Sequence, residues 1–177
     1  TEEVSERNKI RDELWRLANL DVLTSLPNRL SFNELLFNEI QFVQLTSASF
    51  AVALLDIDRL KEVNDTLGHD VGDQMLKQLA ARMKEALDGI GKIARLGGDE
   101  FAVLIRGQDK EIAAACDVIH EALEKPLAIG GTRRSCTISV GITKFPQDAT
   151  TAGELLKNAD LALYRAKSDG RDRVVHF

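Results

Sequence analysis

The stretch SFAVALLDID, Ser49 to Asp58, decides the fold. An unbroken apolar run, Phe50 to Leu55, ends in the acids Asp56 and Asp58. Such a run predicts a buried central strand whose C-terminal end carries polar groups. Working downstream, RLKEVNDTLG reads as a short helix ended by Gly68, and a longer helix follows from about Val71 to Leu87. Residues 92–96 and 101–106 read as two strands of a hairpin around Gly97-Gly98-Asp99-Glu100. Asp109 is placed to cap a helix that Pro126 ends, with Ile112, Cys116, Ile119 and Leu123 on its apolar face. CTISVGIT, Cys136 to Thr143, is a strand. Thr151 and Glu154 form a capping box that opens a helix to about Lys167, and DRVVHF is a last strand.

Working upstream, Ser31 and Glu34 form another capping box, predicting a helix from about Ser31 to Val43. DVLTSLPNRL is turn-like around Pro27. Before it, Ile10, Leu14 and Leu17 form a narrow apolar seam on a charged segment, Ser5 to Asn19, as on a linker or coiled-coil helix. From Ser31 onward the order is αβααββαβαβ. Its strand–helix–strand–strand–helix–strand core has the ferredoxin-like pattern. The expected class is α+β, a central, mostly antiparallel five-stranded sheet with helices on one or both faces. Residues 1–20 are expected to be a linker helix and 21–177 one catalytic domain.

Composition bounds the function. The 177 residues fit one domain, with 44% hydrophobic and 29% charged residues. A net charge of −5 argues against a nucleic-acid polymer or direct membrane contact. No apolar run is long enough for a transmembrane helix, and no signal peptide is visible. The chain begins at Thr1 rather than Met, so a fragment of a longer protein is expected, and an upstream part could carry a membrane anchor. Cys116 and Cys136 lack metal-ligand spacing and read as reduced thiols, which suits a cytoplasmic location.

Four groups carry candidate chemistry. Asp56 and Asp58 share a strand face and stand at its end. Asp99 and Glu100 sit in the hairpin, which a ferredoxin-like sheet can bring beside that strand. Clustered carboxylates are tolerable around a hard cation such as Mg²⁺, which binds one or two of them plus phosphate oxygens. Two such ions can align a hydroxyl with phosphorus and stabilise a leaving group. Asn64 and Asp73, flanking Gly68 and Gly72, could read a guanine edge. Spacing alone favours instead a helix-terminal asparagine and a first-turn acid suited to the dipole. Lys61, Lys167 and Arg171 could meet a triphosphate, although cations are also common in last helix turns. His69 reads as a structural or solvated histidine.

DVLTSLPNR, DIDRLKEVNDTLGHDVGD, RLGGDEF, ISVGIT, ADLALYRAK and GRDRV together resemble the GGDEF domain, the diguanylate cyclase family. The resemblance covers Asp21 to Val175 with the motifs in order and spacing. It implies a fold like the nucleotidyl-cyclase palm. It implies that two GTP molecules, one on each subunit of a homodimer, condense to cyclic di-GMP with loss of two pyrophosphates. Carried over by position, Asp56, Asp99 and the Ile57 carbonyl would hold Mg²⁺ or Mn²⁺. Glu100 is similar to the acid proposed to assist deprotonation of the 3′-hydroxyl or to hold a second metal. Asn64 and Asp73 would bind guanine. Gly97 and Gly98 would admit the phosphates, and Lys61, Lys167 and Arg171 would neutralise them. The first helix resembles the linker that follows a sensory domain.

The chain also departs from the family pattern. Many relatives carry R-x-x-D five residues before the Gly-Gly as an inhibitory product site. Here that position is Asp88-Gly89-Ile90-Gly91, so no allosteric product site is expected. Arg106 and Asp109 have the spacing but another location. Leu60 stands where phenylalanine is common, and Asp172 where asparagine is common.

Overall fold

A computed structural model describes all 177 residues. The helices are α1 (Glu2–Asn19), α2 (Arg29–Thr46), α3 (Leu60–Leu67), α4 (His69–Ala86), α5 (Asp109–Glu124) and α6 (Ala152–Ser168). The strands are β1 (Phe50–Ile57), β2 (Lys92–Gly97), β3 (Glu100–Arg106), β4 (Leu127–Ile129), β5 (Thr132–Arg134), β6 (Ile138–Phe145) and β7 (Arg173–His176).

The main sheet has the order β2-β3-β1-β6-β7, and only the β6–β7 pair is parallel. Every residue of β1 is buried, as its unbroken apolar run requires. Alternate side chains divide between two cores. Ala51, Ala53, Leu55 and Ile57 face Leu79 and Met83 of α4 and Ile112, Ala115 and Ile119 of α5. Phe50, Val52 and Leu54 face Phe32 and Leu36 of α2 and Leu155, Ala159 and Leu163 of α6. The fold is therefore α+β with the ferredoxin-like core, and helices cover both sheet faces. No helix is long and apolar enough to cross a membrane.

Two caps differ from the sequence expectation. α2 starts at Arg29, because the Asn28 side chain accepts the Ser31 N–H at 3.0 Å. Ser31 therefore lies inside the first turn rather than at the cap, and its hydroxyl donates to the Asn19 carbonyl at 2.8 Å, tying α1 to α2. α5 is capped by Gln108 rather than Asp109, in a reciprocal box with Glu111. The Thr151 cap on α6 forms as expected, accepting the Glu154 N–H at 3.2 Å. α4 begins at His69, directly after the Gly68 that closes α3, and β6 runs two residues later than expected, to Phe145. The β4–β5 hairpin leaves no mark in the sequence pattern: each strand has three residues, too few for a periodic signal.

Candidate active site

The strand order puts the carboxylates side by side. Asp56, near the end of β1, lies directly opposite Glu100, the first residue of β3. The Ile57 N–H donates to the Asp99 carbonyl at 3.2 Å, closing the hairpin onto the end of β1. Gly97 and Gly98 take φ of 140° and 51°, values that side-chain-bearing residues rarely adopt, and no atom lies near where their Cβ atoms would be. The hairpin turn is thus open on its outer side.

Asp56 is 5% exposed. One of its oxygens pairs with the Lys167 ammonium from the last turn of α6, and the other, Oδ1, is buried with no hydrogen-bond partner. Burial raises the Asp56 pKa, opposed by the Lys167 hydrogen bond and reinforced by the Asp99 charge. Glu100 is also raised, first by burial and then by the charges of Asp56 and Asp160. For Lys167, burial works to lower the pKa, but the hydrogen bond and charge of Asp56, with Asp99 and Glu100, raise it overall.

No three His, Cys, Asp or Glu side chains close into a ready-made metal cage. The donor set still fits a hard cation. The unpartnered Asp56 oxygen is an acceptor with nothing to accept from, and Asp99 and Glu100 supply further oxygens from the next strand. Such a half-shell suits an ion whose remaining ligands are water and substrate oxygens.

Asp58 separates from this group. It lies beyond the end of β1, and its carboxylate accepts from Ser139 Oγ at 2.6 Å, Thr137 Oγ1 at 2.6 Å and the Asp172 N–H at 3.0 Å. It is 8% exposed and its oxygens are already used. Ser139 stands directly opposite Asp56 in β6, so Asp58 lies toward the same sheet face, but unlike Asp56 it has no unpartnered oxygen to offer.

The other candidates come from around this edge. Asn64 in α3 lies against Gly72 in α4, so closely that a Cβ on Gly72 would fall 1.8 Å from Asn64 Oδ1. That oxygen is buried and unpartnered, and Asp73, the next residue after Gly72, is exposed. The structure thus brings the Asn64 amide within a residue of Asp73. Lys61 is exposed in the first turn of α3, and Arg171 is exposed just after α6. Arg106 is committed elsewhere: it binds Glu39 through two hydrogen bonds, 2.7 and 2.9 Å, and lies over the Phe42 ring.

Two features escape a reading of the sequence. Asp160, on α6, lies near enough to Asp56 and Glu100 to raise both pKa values. It is two helical turns before Lys167 on one face, a spacing that is visible in the sequence. Arg95 braces the hairpin turn: it donates to the Gly98 carbonyl at 3.1 and 2.7 Å and to Asp21 at 2.9 and 3.0 Å. No local pattern links residues so far apart in the chain.

Asp56, near the end of a central strand, thus faces Glu100 beside the Gly-Gly turn and pairs with the helix-end Lys167. The family model described as "Diguanylate cyclase, GGDEF domain" matches residues 18–173, and the chain belongs to that family. It is 37% identical over 92% of its length to the diguanylate cyclase TpbB of Pseudomonas aeruginosa, of which the match covers 39%. It is 39% identical over 93% of its length to the cyclic di-GMP phosphodiesterase NbdA of the same species, covering 21% of that protein. The chain thus spans well under half the length of these relatives. Among solved structures, the isolated GGDEF domain of TpbB superposes with a TM-score of 0.83 at 37% identity, covering 89% of this chain and 93% of that one. The coiled coil and GGDEF domain of DgcB from Caulobacter crescentus, in complex with c-di-GMP, gives 0.87 at 29% identity, covering 99% and 94%.

Proposed function

We propose that this domain is a diguanylate cyclase that condenses two GTP molecules into cyclic di-GMP and releases two pyrophosphates. The reading rests above all on Asp56, a buried carboxylate with one unpartnered oxygen, facing Glu100 and the Gly-Gly turn. Asp56, Asp99 and the Ile57 carbonyl would hold Mg²⁺ or Mn²⁺. The metal, when bound, lowers the pKa of the 3′-hydroxyl and offsets phosphate charge. The chain's own groups orient the substrate. Asp73 accepts from guanine N1–H and N2–H, and Asn64 meets O6 or N3, which favours guanine over adenine. Lys61, Lys167 and Arg171 bind phosphate oxygens, and Gly97 and Gly98 leave the turn open for them. Lys167 already lies on the acidic cluster and exchanges Asp56 for a phosphate when substrate arrives. Glu100, with its raised pKa, is suited to receive the hydroxyl proton or to help hold a second ion.

One chain supplies one GTP site. The attacking 3′-oxygen of one GTP and the α-phosphorus of another must meet in line, so two chains face each other across a two-fold axis. A sensory domain preceding α1 would set that geometry, and the domain would work in the cytoplasm. Incubation with GTP and Mg²⁺, with chromatography of the products, tests the reading. Cyclic di-GMP should form at an initial rate that rises with the square of protein concentration while dimers are scarce. Unconsumed GTP in a sample shown to be dimeric sinks it.

A further inference from the structure

The acid pair of the sequence, Asp56 and Asp58, has divided its labour. We infer that Asp58 is a positioning residue that holds Arg171 in place for phosphate binding. The inference rests on the reading of Arg171 as a phosphate ligand given above.

The loop that carries Arg171 is unusual. α6 ends in a paired closure: the Arg171 N–H donates to the Ala166 carbonyl at 2.9 Å and the Gly170 N–H to the Lys167 carbonyl at 3.4 Å. Gly170 suits this turn, with φ of 117°. The next two residues, Arg171 and Asp172, also take positive φ, 63° and 46°, although neither is glycine. Two consecutive side-chain-bearing residues in that region persist only where surrounding contacts impose them. Beside the helix closure, the contact from the strand end that does so is Asp58. Its Oδ2 accepts the Asp172 N–H, the amide immediately following Arg171.

Asp58 is itself fixed. Its backbone N–H donates to the Thr137 carbonyl at 2.9 Å, and the Thr137 and Ser139 hydroxyls donate to its carboxylate from the β6 side. One buried carboxylate thus ties β1, β6 and the Arg171 loop together, two residues from Asp56. Arg171 has a further local brace, because its carbonyl accepts from Arg173 Nε at 3.0 Å. The β6–β7 ladder begins only at Arg173, so the Asp58 bond is the one that reaches the amide between Arg171 and that ladder.

The test is a thermodynamic cycle on the whole chain. The probe is 3′-deoxy-GTP, which lacks the attacking hydroxyl, and affinity is read by calorimetry with melting temperature followed in parallel. Asp58→Ala should weaken binding about tenfold, the loss expected for a misplaced charged contact. Arg171→Ala should do the same. The double variant should bind no more weakly than Arg171→Ala alone, because Asp58 acts through Arg171. Asp58→Asn should lose only about threefold, since its amide oxygen can still accept from the Asp172 N–H. Should Asp58→Ala fail to fold, Asp58→Asn carries the same cycle. Losses that multiply in the double variant, or unchanged binding by the single one, overturn the role of Asp58 while leaving the cyclase reading intact. Absence of binding by the unmodified chain overturns both.

Discussion

At the scale of single residues, the site stores a cost that the fold does not need. Asp56 must be ionised to bind a cation, yet burial favours its neutral form and raises its pKa. Lys167 offsets only part of that penalty. A carboxylate with a raised native pKa binds more protons folded than unfolded, so it lowers stability as pH rises above about 4 and through the native value. Asp56→Asn removes the charge and keeps the shape. The variant should melt a few degrees above the unmodified chain at pH 7. The gap should narrow as pH falls through the native pKa of Asp56 and close once the acid is protonated in both states. Melting curves across pH measure this, and cyclase activity should be lost throughout. An Asp56→Asn chain that melts lower at pH 7 would show instead that the Lys167 pair stabilises the fold. The strand-end acids were legible in sequence because an apolar run that stops at charge marks where a buried strand meets water. The separate duty of Asp58 was not legible. Spacing puts it on the Asp56 face, but the groups that occupy it, Thr137, Ser139 and the Asp172 amide, arrive from far along the chain.

At the scale of elements, α6 is the member that joins core to chemistry. One face packs Leu155, Ala159 and Leu163 into the second core, and its last turn delivers Lys167 to Asp56. Close approach to the sheet is made possible by Gly141 in β6. A Cβ there would fall 2.2 Å from the Leu163 amide nitrogen and 2.4 Å from the Ala159 carbonyl oxygen. These are helix backbone atoms, so no side chain can turn aside. Gly141→Ala should force α6 away from the sheet at a cost of about 2–3 kcal/mol. At ~2–4 °C per kcal/mol, the midpoint should fall by roughly 5–10 °C. Activity should fall further than stability requires, because Lys167 and Asp160 move with the helix. A variant with an unchanged melting point would show that α6 is not held as closely as described. Helix α6 and its Thr151 cap could be read from local pattern, but its contact could not, since ISVGIT reads as a strand with or without a neighbour at Gly141. Ser31 failed as a cap for another reason. Two cap-forming residues three apart compete for one helix start, and Asn28 takes it, which leaves the Ser31 hydroxyl to bond the Asn19 carbonyl of another element.

At the scale of the whole molecule, one ion pair links the segment leaving α1 to the Gly-Gly turn. Asp21 lies two residues beyond α1, and Arg95 spans from it to the Gly98 carbonyl. Both side chains are mostly shielded, 18% and 12% exposed. Burial alone would raise the Asp21 pKa, but hydrogen bonds from Thr24 and Arg95 and the Arg95 charge outweigh it and lower the value. The sign is therefore opposite to that at Asp56. The ionised pair adds stability that is fully present above the unfolded value of about 4 and is lost as pH falls through the lower native one. Allowing for solvent screening, Asp21→Asn should cost about 1 kcal/mol at pH 7, lowering the midpoint by roughly 2–4 °C. The deficit should shrink in acid as the unmodified chain loses the same charge. Asp56→Asn and Asp21→Asn should thus bracket the unmodified chain at neutral pH and converge on it from opposite sides below about pH 4. Parallel pH–melting series on the three proteins decide the matter. Curves for Asp21→Asn that stay parallel to the unmodified chain into acid would mean the contribution comes from hydrogen-bond shape rather than charge. The N-terminal segment would then be joined to the Gly-Gly turn by geometry alone.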